Sequence, residues 1–280
     1  MTMQLDGARQ AAAAATGAWD RARRLVAVAS GKGGVGTSTA AALLGAAVAA
    51  TGRRVLLVDA VGQLGTLHQV LGISPSHTLG ALRHGLEPQD FVTPVSPTLA
   101  LLAVAPDDAA IGDTDRRILQ HRLLSLYDDY DLVVADAGAH ASAILQTCRD
   151  GASRVFAVCG ADRVGLAATF ALIKFLGQHA PNVRVDVLTN RVTTEMAATL
   201  HAHVNAATVR FLSRTVHLAG SIPEDDDFGQ ALTAGLGAHD AAVGSSAVAA
   251  MHDVGERLLT DLATYPWTGA SLMTRTLRKR

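Results

Sequence analysis

Cysteine and aromatic residues are scarce in this chain of 280 residues: Cys148 and Cys159 are the two cysteines, and Phe, Trp and Tyr together make up 4%. The cysteines form no CxxC pair and no repeating framework, which argues against a disulfide scaffold or a structural zinc site and suits a reducing cytosol. With so few rings to stack on bases, single-strand and RNA-binding modes lose their usual platform. An excess of one charge is also missing. Lys+Arg 24 against Asp+Glu 25 leaves a net charge of -1, so no overall field draws the chain to nucleic acid or to an anionic membrane. A basic-then-apolar secretion signal is absent from the opening residues, and a cytoplasmic protein is expected. The uncharged stretch from Gly33 to Gly52 is long enough to suggest a membrane span. Its glycines and Thr37, Ser38 and Thr39 favour a buried loop followed by an Ala-rich helix instead.

What is present is apolar and rhythmic. Hydrophobic residues at 49% and charged ones at 18% describe a folded globular chain, and at about 150 residues per domain its length permits one large domain or two small ones. Short aliphatic runs recur at Leu25–Ala29, Val55–Val58, Leu99–Leu102, Leu132–Val134, Val155–Val158, Val183–Leu188 and Thr215–Leu218. Most lack alternation, as strands covered on both faces do. Helical spacing marks Thr39–Ala50, Asp113–Tyr127, Leu166–Leu176, Val192–Leu212 and Ser245–Leu262. Strands alternating with helices imply right-handed crossovers. The fold class is therefore α/β: a single doubly wound, mainly parallel sheet with helices on both faces, over residues 25–263. Residues 1–24 form an N-terminal extension and 264–280 a basic, weakly amphipathic tail.

After the first run comes Ser30-Gly-Lys-Gly-Gly-Val-Gly-Thr-Ser-Thr39. Against G-x-x-x-x-G-K-[ST], Gly31 and Gly36 fit, Ser38 takes the Ser/Thr place, and Thr37 stands where lysine belongs. Glycines suit a backbone that curls its N–H groups toward phosphate oxygens, and the helix that follows adds partial positive charge. Residues Gly31, Lys32, Gly33, Gly34, Val35, Gly36, Thr37, Ser38 and Thr39 are the candidate phosphate cradle. Ser38 can give a hydroxyl to Mg²⁺.

The string Gly31-Lys-Gly-Gly-Val-Gly36 resembles the deviant Walker A loop of the MinD/ParA family, whose extra lysine corresponds to Lys32. That resemblance implies ATP/ADP and Mg²⁺ as ligands and a nucleotide-dependent homodimer in which Lys32, the candidate catalytic residue, reaches the partner's phosphates. It further implies a P-loop NTPase fold. Asp59, at the end of the second strand, keeps the first position of the family's D-x-D, but Val61 replaces the second aspartate, which handles the attacking water. Asp136 occupies the place of a Walker B-type aspartate, with Gly138 similar to the family's phosphate-sensing glycine and His140 departing from its pattern as a solvent-facing loop histidine. Metal contacts are thus assigned to Ser38, Asp59 and Asp136. The resemblance assigns Asn190, Arg191 and Pro223 to the base-side cleft. Glu224–Asp227 reads as a solvated helix start.

The second half of the chain resembles the FlhG (FleN/YlxH) branch, regulators of flagellar number or placement, across residues 25 to about 262. This implies an FlhF-like GTPase or other flagellar factors as partners, although the branch's N-terminal motif is matched only loosely by Asp6-Gly-Ala-Arg9. With Thr37 and Val61 in place of lysine and aspartate, weak or absent hydrolysis is expected. Three other readings share the loop or the fold: a binding-only pseudo-ATPase, a CpaE/TadZ- or BcsQ-like locator of pili or cellulose synthase, and a reductase of the nitrogenase iron-protein type. The tail, with Leu272, Met273 and Leu277 among four cations, reads either as a surface-seeking segment giving weak contact with the inner face of the membrane or as a basic tail in water.

Overall fold

The computed structural model describes residues 24–61, 65–75, 87–103, 126–234, 237–238 and 244–264. Eight strands form one sheet: β1 (Leu25–Ser30), β2 (Val55–Asp59), β3 (Val92–Pro94), β4 (Leu99–Leu102), β5 (Leu132–Gly138), β6 (Arg154–Cys159), β7 (Arg184–Asn190) and β8 (His217–Ile222). Their order across the sheet is β3-β4-β2-β5-β1-β6-β7-β8. All neighbours pair parallel except β3, which closes one edge antiparallel to β4. The helices are α1 (Thr37–Ala49), the short α2 (Leu67–Val70), α3 (Ala141–Arg149), α4 (Arg163–His179), α5 (Thr194–Leu212), α6 (Asp226–Thr233) and α7 (Ser246–Thr264).

The lack of alternation in the strands has a direct structural cause. Along β1 every residue is buried: Val26 and Val28 point to one apolar core, shared with α1 and α7, while Leu25, Ala27 and Ala29 point to the other, shared with α3 and α4. A central strand covered on both faces has no polar side to show. Helix α1 is short of large side chains because it lies between sheet and α7; a Cβ at Gly45 would stand 2.7 Å from Leu57 Cδ2. Its close seating holds the preceding loop against the sheet's C-terminal edge.

The expected strand Thr215–Leu218 is corrected to His217–Ile222. Gly220 looks like a breaker in the sequence, yet in β8 it makes room for Val254 Cγ2 of α7, which a Cβ would strike. Three small elements carry no earlier signal: β3, which forms the antiparallel edge, α2 and α3. Of the expected helix Asp113–Tyr127, only Leu126 and Tyr127 fall among the described residues, both buried. The N-terminal extension and the tail beyond Thr264 lie outside them.

At the N-terminal edge of the sheet, buried Arg154 reaches Asp186 Oδ2 at 3.4 Å and Asp261 Oδ2 at 2.8 Å, and Arg184 meets the same two carboxylates at 3.0 and 3.4 Å. Buried charge is tolerable only when compensated in this way. The network fastens the last turns of α7 to the starts of β6 and β7.

Candidate functional site

Between β1 and α1 the chain turns through Gly31–Gly36. Gly34 and Gly36 sit at φ +80° and +88°, a left-handed conformation that glycine adopts without cost. Gly31 lies under the carbonyl oxygen of Ala168 in α4, where a Cβ has no room, and Gly36 lies against the side-chain amide of Asn190 in the same manner. The backbone amides of residues 33–36 donate no backbone hydrogen bond among the described residues. Helix α1 has neither a side-chain cap nor an acidic residue in its first turn. Open amides at a helix N-terminus make an anion cradle.

Thr37 does not present its hydroxyl as a substitute for the missing ammonium. It is buried, donates to Ser30 Oγ at 2.8 Å, and Ser30 in turn donates to the Lys32 carbonyl at 2.8 Å. The relay braces the loop from beneath. Lys32 pairs within its own chain with Asp162 Oδ2 at 2.9 Å, while the other oxygen of Asp162 caps α4 by accepting the Gly165 amide. That Lys32 ammonium, with the Gly165 amide, holds the Asp162 carboxyl below the usual carboxylate range.

Two carboxylates stand side by side beyond the loop, since Asp59 and Asp136 are register partners at the ends of β2 and β5. Asp59 accepts the Val61 amide at 3.3 Å and the Leu67 amide at 3.2 Å, and Gly65 packs so closely on it that a Cβ would overlap both oxygens. Burial, reinforced by the charge of Asp136, pushes its pKa up to about 6. Asp136 is fully buried; Oδ1 accepts the Gly138 amide at 3.0 Å. The Ser38 hydroxyl lies close enough to favour the ionised form, but burial outweighs it and raises the pKa, and Oδ2 is left without a hydrogen-bond partner. A buried, unpartnered carboxylate oxygen beside a second carboxylate and the Ser38 hydroxyl is a donor set that fits a hard divalent cation such as Mg²⁺. Thr66, whose hydroxyl donates to Ser38 at 3.5 Å, sits on the same side. Val61 covers Gly138: its Cγ2 would be 2.9 Å from a Cβ there. His140 is exposed at the start of α3. Residues 62–64, which follow Val61, lie outside the described residues.

On the other side of the loop a cleft of about 710 Å³ is lined by Gly34, Gly36, Thr39, Asn190, Arg191 and Pro223, with Ile222 and Phe228 among its apolar walls. Its size and mixed lining suit a small organic ligand. Asn190 is buried and spends one amide hydrogen on the Val35 carbonyl at 2.8 Å, so it ties β7 to the loop and keeps its oxygen and second hydrogen. Arg191, at φ +59°, turns outward to Glu224 Oε1 at 2.7 Å. The acidic run starts α6, where Asp225 accepts the Phe228 amide at 2.9 Å and also takes the Ser245 and Ser246 hydroxyls and the Ala247 amide.

The structure thus brings the loop, Asn190, Arg191 and Pro223 around one cleft and places Ser38, Asp59 and Asp136 at the loop's opposite flank. Ser30, Thr66, Asp162 and Asp225 are additional members. Asp162 and Asp225 each precede a helix as N-cap aspartates, a legible signal; Ser30 and Thr66 carry none. The cysteines stand apart: burial pushes the Cys148 thiol up to about 11 and raises that of Cys159, the opposite of a thiolate poised as a ligand.

The model of the family described as "CobQ/CobB/MinD/ParA nucleotide binding domain" matches residues 26–237. Antiactivator FleN of Pseudomonas aeruginosa is 27% identical over 252 residues, covering 84% of this chain and 86% of that protein. Among solved structures, MinD in the MinC:MinD cell division complex of Aquifex aeolicus superposes with a TM-score of 0.66 at 22% identity, covering 85% of this chain and 96% of that one. MinD of Pyrococcus horikoshii, complexed with Mg-ADP, gives 0.65 at 22%, covering 86% and 97%.

Proposed function

The chain belongs to the CobQ/CobB/MinD/ParA nucleotide-binding family, and from that premise we propose that it is a nucleotide-responsive regulator of flagellar number or placement with little or no ATP hydrolysis. The flagellar assignment rests on the likeness to FleN along most of both chains. The nucleotide reading rests on the open amides of residues 33–36 beside the 710 Å³ cleft. The MinD structure with Mg-ADP has the same fold and holds that ligand.

In this reading the loop amides and α1 hold phosphates, and Asn190, Arg191 and Pro223 flank the base. Ser38 and Asp136, with Asp59 behind, hold Mg²⁺, which when bound neutralises phosphate charge. The observation that carries weak turnover is the state of Thr37 and Val61. The first is an uncharged side chain turned beneath the loop, and the second is an apolar side chain over Gly138. Phosphoryl transfer depends on positioned cations and an oriented water, and neither residue supplies them. Dimerisation through Lys32, an FlhF-like GTPase or another flagellar factor as partner, and weak membrane contact through the tail are further parts of the proposal.

Calorimetric titration with ATP and ADP in Mg²⁺, beside a turnover assay, tests the site; binding with negligible turnover is expected. Turnover comparable to a family member with intact lysine and aspartate would overturn the degenerate reading. Deletion of the gene should alter flagellar number or position in electron micrographs, and an unchanged pattern would reject the flagellar role.

A further inference from the structure

Building on the nucleotide reading above, we infer that this site selects a nucleoside diphosphate over the corresponding triphosphate. The order of the sheet sets the direction of the ligand. The cleft lies at the ends of β7 and β8, the loop follows β1, and the carboxylates Asp59 and Asp136 end β2 and β5 on the far side. A nucleotide with its base in the cleft and its diphosphate on the loop would extend any third phosphate toward those carboxylates.

The two halves of this path are built differently. On the loop, the amides of residues 33–36 are open among the described residues. Beyond it they are closed. The Gly138 amide is spent on Asp136 Oδ1 at 3.0 Å and the Val61 amide on Asp59 Oδ1 at 3.3 Å, while the Val61 side chain covers Gly138. Among the described residues the loop's own positions bring no free cation to that end either. Thr37 is neutral and committed to Ser30, and Lys32 is drawn off to Asp162 at 2.9 Å. A third phosphate would find those amide donors occupied and, among the described residues, no ammonium nearby except that of Lys32, which would first have to leave Asp162. Each such unmet demand disfavours the longer ligand, whereas a diphosphate ends before meeting them.

The consequence is a protein whose ligand-bound state is set by diphosphate, so that a triphosphate-driven switch is weakened at binding and not merely at hydrolysis. The test is titration of the full chain in Mg²⁺ with ADP, ATP and AMP, read by heat and by the shift in melting temperature. ADP should bind at least tenfold more tightly than ATP, about 1.4 kcal/mol, and AMP more weakly than ADP because it leaves the loop unfilled. Thr37→Lys should strengthen ATP more than ADP and narrow the gap. Lysine at a buried position can disturb the loop, so the wild-type comparison decides on its own. ATP binding as tightly as ADP, or more so, overturns the selectivity while leaving the nucleotide reading intact. No binding of any of the three at millimolar concentration overturns both.

Discussion

Lys32 and Asp162 form an ion pair 2.9 Å long within one chain, with a third of the lysine side chain and about half of the aspartate exposed. Exposed pairs of this kind contribute little because water screens them, so a stronger anion can draw the lysine away. Asp162→Asn should keep the cap on α4 while freeing Lys32. Sedimentation in nucleotide should then show more dimer than wild type, and Lys32→Ala should show none while remaining folded. A dimer unchanged in Lys32→Ala would mean that this lysine only lines the loop.

The relay from Thr37 through Ser30 to the Lys32 carbonyl makes a coupled prediction. Ser30→Ala or Thr37→Val alone leaves one buried hydroxyl or the carbonyl without its partner, and should cost about 1–3 kcal/mol. The double variant removes both hydroxyls and should cost less than the sum. Urea unfolding of the four proteins measures the coupling; strict additivity would show that the relay is incidental.

Asp225 supports two helices at once, receiving amides from α6 and α7 and hydroxyls from Ser245 and Ser246. The Phe228 amide above all, then the Ala247 amide and the two serines, holds its carboxyl far below the usual carboxylate range. A group whose folded pKa is depressed adds stability above its unfolded value of about 4, and that stability is lost as pH falls toward the folded value. Asp225→Asn should therefore be less stable than wild type at pH 6 and lose less on acidification to pH 3. Asp225→Ala, without either cap, should cost about 2 kcal/mol. Urea midpoints across that range check both.

Asp136 trades stability for a ligand. Its Oδ2 is buried without a partner and its neighbour Asp59 repels it, so Asp136→Asn should raise the melting temperature in EDTA by removing one of the two charges. The same variant should lose the Mg²⁺ dependence of ADP binding. A lower melting temperature in EDTA would indicate that the carboxylate is already satisfied without a cation.

What could be read from the chain, and what could not, divides by sequence separation. The strand, loop and helix at Leu25–Ala49 are continuous, and each step shows its own local chemistry: aliphatic run, glycines, small residues. Asp59 and Asp136 were legible because each closes an aliphatic run. The contacts that change the meaning of the loop are distant: Asn190 reaches Val35 across 155 positions and Asp162 reaches Lys32 across 130. No local pattern announces them. Helix α3 was hidden because only Ile144 and Thr147 are buried, too few to set a period. Strand β3 was hidden because three residues ending in Pro94 read as a turn.

The ion network around Asp261 gives the molecule a polarity along the sheet. Helix α7 begins beside Asp225, at the rim that carries the cleft, and ends at Arg154 and Arg184, at the rim where the strands begin. Helix α7 thus ends, at Thr264, on the face opposite the cleft. A tail that lodged in a lipid surface would consequently suspend the domain with its loop and cleft directed into solution. Nucleotide could then enter and a second copy could approach without either meeting the membrane.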